Sequence, residues 1–151
     1  MERRVTGSTI GIDDQLCFAL YTASRAMTGC YRPMLDTLGL TYPQYLVLLV
    51  LWERGESTVT DIGRAVSLEK GTLSPLLTRL ETAGLVARTR RTDDERSVLV
   101  GLTAAGRALE ADVVQVQRRA AEAVGLSGPA LEGLRDTLHR LTERLHSAAG
   151  R

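Results

Sequence analysis

Apolar residues recur at helical spacing from Asp13 to about Leu38. Leu16, Leu20, Ala23, Met27 and Met34 fall on one stripe, with Asp13 and Asp14 suited to the helix start. Residues 1–12 read as a loose arm ahead of it. "GLTYP" breaks the pattern, and Pro43 suits the first turn of a second helix, "PQYLVLLVLWE". That helix is apolar almost all round, which predicts a central, buried element. "RGESTVTDIGRAV" predicts a turn and a short helix with Thr58 or Thr60 near its cap. "SLEKGTLSPLLTRLETAGLV" predicts a second turn and helix, with Leu73, Leu76, Leu77 and Leu80 inward and Gly84 just past its end. Pro75 removes one helix hydrogen bond, which predicts regular helix only from near Thr72. "LVARTRRTDDERSVLVGLT" has apolar flanks around a charged middle, the pattern of a β-hairpin with a long charged tip. Thr103 caps a long helix to about Gly125, and a last helix runs from roughly Ala130 to Ala148 after "LSGP". The predicted order is five or six helices with one hairpin inserted, without internal repeats.

Composition narrows the picture modestly. A chain of 151 residues with 44% apolar and 25% charged residues is one ordinary domain. No run of 18 apolar residues is present, so no membrane-spanning helix is expected. "MERRVTGSTIGIDDQ" lacks the apolar segment of a secretory signal. Two cysteines without an export signal point to the reducing cytosol, where a thiol is reactive or buried rather than half of a structural disulfide. The net charge of +1 decides nothing, but its distribution matters. From Arg64 to Arg91 six basic residues (Arg64, Lys70, Arg79, Arg88, Arg90, Arg91) face two acidic ones, Glu69 and Glu81. Such a stretch is either a solvated surface or a phosphate-contacting face.

Two short helices joined by a tight turn and followed by a basic hairpin make a winged helix-turn-helix order. The second helix fits the major groove, whose edges carry a donor and acceptor code, and a wing can reach the narrow minor groove beside it. The segment "STVTDIGRAVSLEKGTLSPLLTRLETAGLVARTRRTDDERSVLVGLTAAG" resembles the winged-helix core of the MarR family of bacterial repressors. Within it, "DDERSVLVGLT" matches that family's wing signature. "LCFALYTASRAMTGCYRPMLDTLGLTYPQYLVLLVLWE" is similar to OhrR, the organic-hydroperoxide-sensing branch. Together these cover about Asp13 to Leu109.

The resemblance implies a recognition helix over Lys70 to Ala83, with Lys70, Thr72, Ser74 and Arg79 as groove contacts. It implies Arg96 as the wing arginine and Asp94 as the residue that positions the wing. Arg88, Arg90 and Arg91 would contact phosphate on the strand leading there, which positions a protein without reading sequence. Composition adds one constraint. The chain has no asparagine, and Gln15, Gln44, Gln115 and Gln117 all lie outside the recognition segment. Bidentate amide readout of adenine is therefore closed to that helix. Specificity falls to Arg or Lys on guanine, to hydroxyls, to methyl contacts and to groove shape.

The second site is the stripe Cys17, Tyr21, Ser24, Thr28, Tyr31, at i, i+4, i+7, i+11 and i+14 of the first helix. It is more polar than a core stripe. Tyrosine hydroxyls and a helix N-terminus can stabilise a thiolate, while Asp13 and Asp14 oppose one. From the residues alone Cys17 is either reactive or a buried structural thiol. In the OhrR branch the matching cysteine is peroxidatic, and tyrosines at the positions of Tyr21 and Tyr31 hydrogen-bond it across a dimer. The resemblance implies that an organic hydroperoxide oxidises Cys17 to the sulfenic acid and that the dimer then releases its operator. Cys30 departs from the two-cysteine members, whose resolving thiol lies in the C-terminal half. In one straight helix Cys30 stands ~20 Å from Cys17 and about 140° around, which excludes an intrachain bridge. A bridge to the partner's Cys17 and resolution by a small cellular thiol both stay open.

His139 and His146 make no metal site on their own, and no cofactor is called for. The leucines of the last helix (Leu131, Leu134, Leu138, Leu141, Leu145) and Val113, Val116, Ala120 and Ala123 read as core and dimer seam. The fold expected is mainly α, a winged helix-turn-helix at 43–102 within a single domain, 13–151. Helices at 13–38 and 103–148 would form a homodimer interface. A two-fold dimer implies a pseudo-palindromic double-stranded DNA operator. Two other functions compete: a MarR-type repressor released by a small aromatic ligand with Cys17 structural, and a thiol peroxidase that turns over.

Overall fold

The structure is a computed structural model and describes residues 11–94 and 97–150. The expected loose arm lies outside the described residues, Gly11 and Ile12 excepted. The chain enters through one 3-10 turn, Ile12–Asp14. The two aspartates therefore do not open the first α-helix. The N–H groups of Asp14 and Gln15 bond back to Gly11 and Ile12 at 3.2 Å, and Gln15 is then extended (φ −86°, ψ 117°), which interrupts the helical bonding. Helix α1 (Leu16–Asp36) starts only after that break, and it carries Pro33 near its end.

Helix α2 (Tyr42–Arg54) is the buried centre that its composition predicts. Thr41 and Gln44 close a reciprocal capping box at its start, with Pro43 in the first turn. Val47, Leu48, Val50 and Leu51 are buried along it. Helix α3 (Val59–Val66) takes Thr58 as its cap; the hydroxyl accepts from Asp61 N–H at 3.1 Å. Ser67 then turns the chain in the left-handed region (φ 56°), and α4 (Lys70–Thr82) follows. Gly63 permits the close approach of this pair, because a Cβ there would stand 2.9 Å from the Leu68 carbonyl.

Helix α4 begins two residues before the expected start. Pro75 removes an N–H that would bond Gly71 carbonyl, and Gly71 lies exposed, where water can replace it. Leu73, Leu76, Leu77 and Leu80 point into the core as predicted. Gly84 at φ 75° closes the helix, with Leu85 N–H bonding Leu80 carbonyl at 3.0 Å.

The hairpin is β2 (Val86–Arg90) against β3 (Val98–Leu102), in register from Val86 opposite Leu102 to Arg90 opposite Val98. A third short strand, β1 (Ser57–Thr58), pairs with the far edge of β3, giving the order β1-β3-β2. Two residues are too few for an alternation signal, so this strand was not predicted.

The helix expected from Thr103 is divided at Leu109 into α5 (Ala104–Ala108) and α6 (Glu110–Val124). Helical bonds still run through the joint at 3.2 Å, from Leu109 to Ala105 and from Val113 to Leu109. Helix α5 is clamped to the elements around it. Thr103 Oγ1 donates to Gly84 carbonyl at 2.6 Å, and Trp52 Nε1–H donates to Gly106 carbonyl at 3.0 Å. A Cβ on Gly106 would come within 2.1 Å of the Leu85 carbonyl.

By its internal contacts the chain divides into one unit ending at Val116 and a second from Gln117. The core of the first unit joins Leu35, Leu48, Leu51, Ile62, Leu73, Leu77, Leu80, Val86, Val100, Val113 and Val116. In the second unit, α7 (Gly128–Ala148) begins two residues before the expected Ala130, with Pro129 in its first turn. It leaves Leu134, Leu138 and Leu145 exposed at 46%, 38% and 56%.

Candidate redox sensor and nucleic-acid interface

Because α1 starts at Leu16, Cys17 stands in its first turn, at the positive end of the helix dipole, and is exposed. It is not core filling within this chain. Tyr21, one turn on, is 56% exposed. Its phenol oxygen accepts a hydrogen bond from Arg25 Nη1 at 2.8 Å, and the guanidinium carbon lies 5.4 Å from the ring centroid. Thr28 does not present a free hydroxyl along the stripe. It turns back onto Ser24 and Arg25 carbonyls of its own helix, at 3.0 and 3.1 Å.

Tyr31 belongs to a different environment. Its ring packs edge-on to Tyr42 at 5.2 Å and tilted to Tyr45 at 5.5 Å, so three of the chain's four tyrosines join α1 to α2. Burial, reinforced by Tyr45 and Tyr42, pushes the Tyr31 hydroxyl up to about 12. Tyr42 is raised for the same first reason. Tyr31 therefore stays protonated, and stays a donor, throughout the physiological range. Cys30 is exposed on the same helix. The helix is continuous between Cys17 and Cys30, so their separation remains ~20 Å. A cleft of about 320 Å³ opens between α1 and α2, with Arg25, Thr28, Arg32, Asp36, Thr41 and Tyr42 on its walls.

On the other face, Lys70, Thr72, Ser74 and Arg79 are all exposed along α4, opposite its buried leucines. Arg90 is exposed on β2. Arg91 holds both carboxylate oxygens of Asp93, at 2.8 and 2.6 Å. Asp93 is held below the usual carboxylate range by that hydrogen bond to Arg91. Asp94 carbonyl accepts from Ser97 N–H at 3.0 Å at the base of the wing tip. Arg96 lies outside the described residues. Arg88 is engaged within the molecule: its Nη2 donates to Glu81 Oε1 and to Thr78 Oγ1, both at 3.1 Å.

Comparison with known proteins decides between the families that share this fold. Residues 30–113 match the family described as transcriptional regulator SarA/Rot. The chain is 45% identical over 135 residues to the organic hydroperoxide resistance transcriptional regulator of Bacillus subtilis (strain 168), covering 89% of this chain and 92% of the relative. The chain belongs to the organic hydroperoxide resistance branch of the MarR-type regulators. Structures of AbfR, one of them described as from Staphylococcus epidermidis, are also similar to it. The reduced form bound to DNA is 34% identical with a TM-score of 0.74, covering 89% of this chain and 94% of that one. The disulfide form is 33% identical with a TM-score of 0.62, covering 93% of each.

For this regulator, the thiol stripe of α1 and the basic face of the winged helix-turn-helix stand at separate places in the first unit. Sequence reasoning missed Arg25, the Tyr42–Tyr45 wall and Glu81. The first had a visible signal, since Tyr21 and Arg25 are four residues apart on one helix. Tyr42 and Tyr45 share a face of α2 at i, i+3, but only the packing of α1 brings Tyr31 to them. Among the described residues, no cluster of three or more His, Cys, Asp or Glu could hold a metal ion, and no helix is long and apolar enough to cross a membrane.

Proposed function

We propose that this regulator is a dimeric repressor in the cytosol that binds a pseudo-palindromic operator and releases it when an organic hydroperoxide oxidises Cys17. The observation that carries this reading is an exposed thiol in the first turn of α1, in a chain 45% identical to a named hydroperoxide resistance regulator. The Cys17 thiolate attacks the peroxide, an S–O bond forms and the O–O bond breaks. Sulfur loses two electrons and becomes the sulfenic acid; the peroxide leaves as the alcohol after taking a proton from solvent. The partner's Tyr21 and the partner's Tyr31 donate hydrogen bonds to the thiolate across the dimer before oxidation. A small cellular thiol then attacks the sulfenic sulfur, an S–S bond forms, the S–O bond breaks and the oxygen leaves as water; attack by the partner's Cys30 is the other route.

The winged helix at 43–102 contacts DNA. Lys70, Thr72, Ser74 and Arg79 enter the major groove, Arg90 and Arg91 meet phosphate, Asp94 supports the wing, and Arg96 reaches the minor groove. The segments 13–38 and 103–148 form the dimer interface. The exposed apolar residues Leu16, Tyr21 and Met27 of α1 and Leu134, Leu138 and Leu145 of α7 support this. A second reading is release by a small aromatic ligand, favoured by the arginine-lined cleft between α1 and α2. Electrophoretic shift of operator DNA at fixed salt separates the two. Wild type should release DNA with one equivalent of organic hydroperoxide per chain and Cys17→Ser should not; release by a phenolic acid in both proteins would favour the second reading.

A further inference from the structure

Arg88 lies on the first wing strand, where the family resemblance makes it a phosphate contact. The structure gives it a different task. Its side chain is 28% exposed, and the guanidinium reaches back to α4. Nη2 donates to Glu81 Oε1 at 3.1 Å and to Thr78 Oγ1 at 3.1 Å, while the Arg88 main-chain N–H donates to Glu81 Oε2 at 3.0 Å. Thr78 in turn donates to Ser74 carbonyl at 3.1 Å. Both oxygens of Glu81 are thus occupied, and three bonds span the turn of Ala83, Gly84 and Leu85. That turn is the natural hinge between recognition helix and wing, since Gly84 at φ 75° carries no side chain to stiffen it. The bonds start from the solvent-facing side of α4, where Arg79 stands between Thr78 and Leu80. Besides them, buried Leu80 and Val86, the Leu85 N–H bond to Leu80 carbonyl and the Thr103 bonds to Gly84 and Leu85 carbonyls hold this turn, but none of these reaches the exposed side chains of α4.

We infer that Glu81, Thr78 and Arg88 form a brace that sets the angle between α4 and the hairpin, so that Arg88 acts on DNA as a positioning residue and not as a phosphate contact. This rests on the reading of α4 and the hairpin as the DNA-contacting elements. A lone exposed ion pair contributes little. Here one carboxylate is bound at both oxygens by one residue, and a hydroxyl fixes the same guanidinium. The geometry is therefore more determinate than a surface pair.

The brace and the phosphate contact predict opposite signs. Glu81→Gln removes one negative charge per chain, which by itself tightens DNA binding, and it frees Arg88 to reach phosphate. A broken brace instead misaligns helix and wing. The probes are an operator selected by the wild-type dimer from a random-sequence duplex library and a scrambled duplex of equal length. Each is measured over a range of salt with wild type, Glu81→Gln, Arg88→Ala and Thr78→Val. The brace predicts that Glu81→Gln binds the selected operator about fivefold more weakly while binding the scrambled duplex at least as well.

Arg88→Ala should lose a similar factor on the operator with the salt slope unchanged. Tighter operator binding by Glu81→Gln, or a salt slope in Arg88→Ala lower by about one per chain, would overturn the inference. Thermal melts accompany each variant. Should either charge variant not fold, Thr78→Val, which removes one bond without altering charge, decides: about twofold weaker operator binding is expected, and wild-type binding overturns the brace. If the wild type selects no sequence and binds neither duplex, the DNA-binding reading itself falls, and the brace with it.

Discussion

The winged helix and the sensor helix are finished to different degrees within one chain. The winged helix has a closed core: Leu48, Ile62, Leu73, Leu77 and Leu80 are almost fully buried, and every helix in it has a cap, a turn glycine or a cross-bond fixing its end. Helix α1 buries only Leu35, near its C-terminus, and leaves Leu16 63% exposed beside an exposed Cys17. The DNA-contacting element is packed about a filled core, which Leu35 of α1 and Val113 and Val116 of α6 complete. The element that senses is left incomplete, so that its surroundings depend on a second copy. In the proposed mechanism, a small chemical change at Cys17 acts where packing is weakest rather than against a completed core.

That contrast can be broken most severely in the winged helix. Gly106→Ala places a methyl against the Leu85 carbonyl and should cost about 3 kcal/mol, and Leu80→Ala should cost a similar amount through an unfilled cavity. Urea denaturation measures both; a cost under 1 kcal/mol for each would mean that the body is more plastic than its packing implies. Thr41→Ala removes the capping box of α2 and should cost about 1 kcal/mol in the same assay.

The tyrosine wall gives a pH test of intermediate size. Tyr31 is raised to about 12 in the folded chain, above its ordinary value. Its contribution to stability is therefore fully present below the unfolded-state value and is lost as pH climbs towards 12. Alkaline unfolding followed by phenolate absorbance should show this loss in wild type and a shallower one in Tyr31→Phe. The smallest effect is expected at Cys17. Cys17→Ser should alter urea stability by less than about 0.5 kcal/mol while abolishing the peroxide response, because an exposed thiol contributes little packing. A large destabilisation would show the sensor helix to be more complete than it looks.

Much of the winged helix could be read from the chain, because there one residue pattern met one physical demand. The leucine spacing of Leu73, Leu76, Leu77 and Leu80, Gly84 at the helix end and the apolar flanks of the hairpin each agreed with the fold around them. Asp13 and Asp14 misled, because an acidic pair suits either a helix start or a separate turn, and an extended Gln15 decides for the turn. Leu109 misled in the opposite way. The apolar pattern runs through it and gives no signal of the joint between α5 and α6. The candidate site divides along the same line. Cys17, Tyr21 and Tyr31 were visible as one stripe, yet Tyr31 joins Tyr42 and Tyr45. The role proposed for Arg88 depends on its contacts with Glu81, seven residues away, which a count of charges does not show.

The Trp52–Gly106 bond gives the molecule an optical consequence. The chain contains one tryptophan, and its indole N–H is fixed to a carbonyl where α2 meets α5. Emission from this single fluorophore records the state of that junction alone. Tyr21 and Tyr31, the aromatic groups nearest the thiol chemistry in the proposed mechanism, absorb and emit at shorter wavelength. Excited beyond the tyrosine absorption, the tryptophan thus follows the α2–α5 junction in an unlabelled sample, apart from the tyrosines of α1.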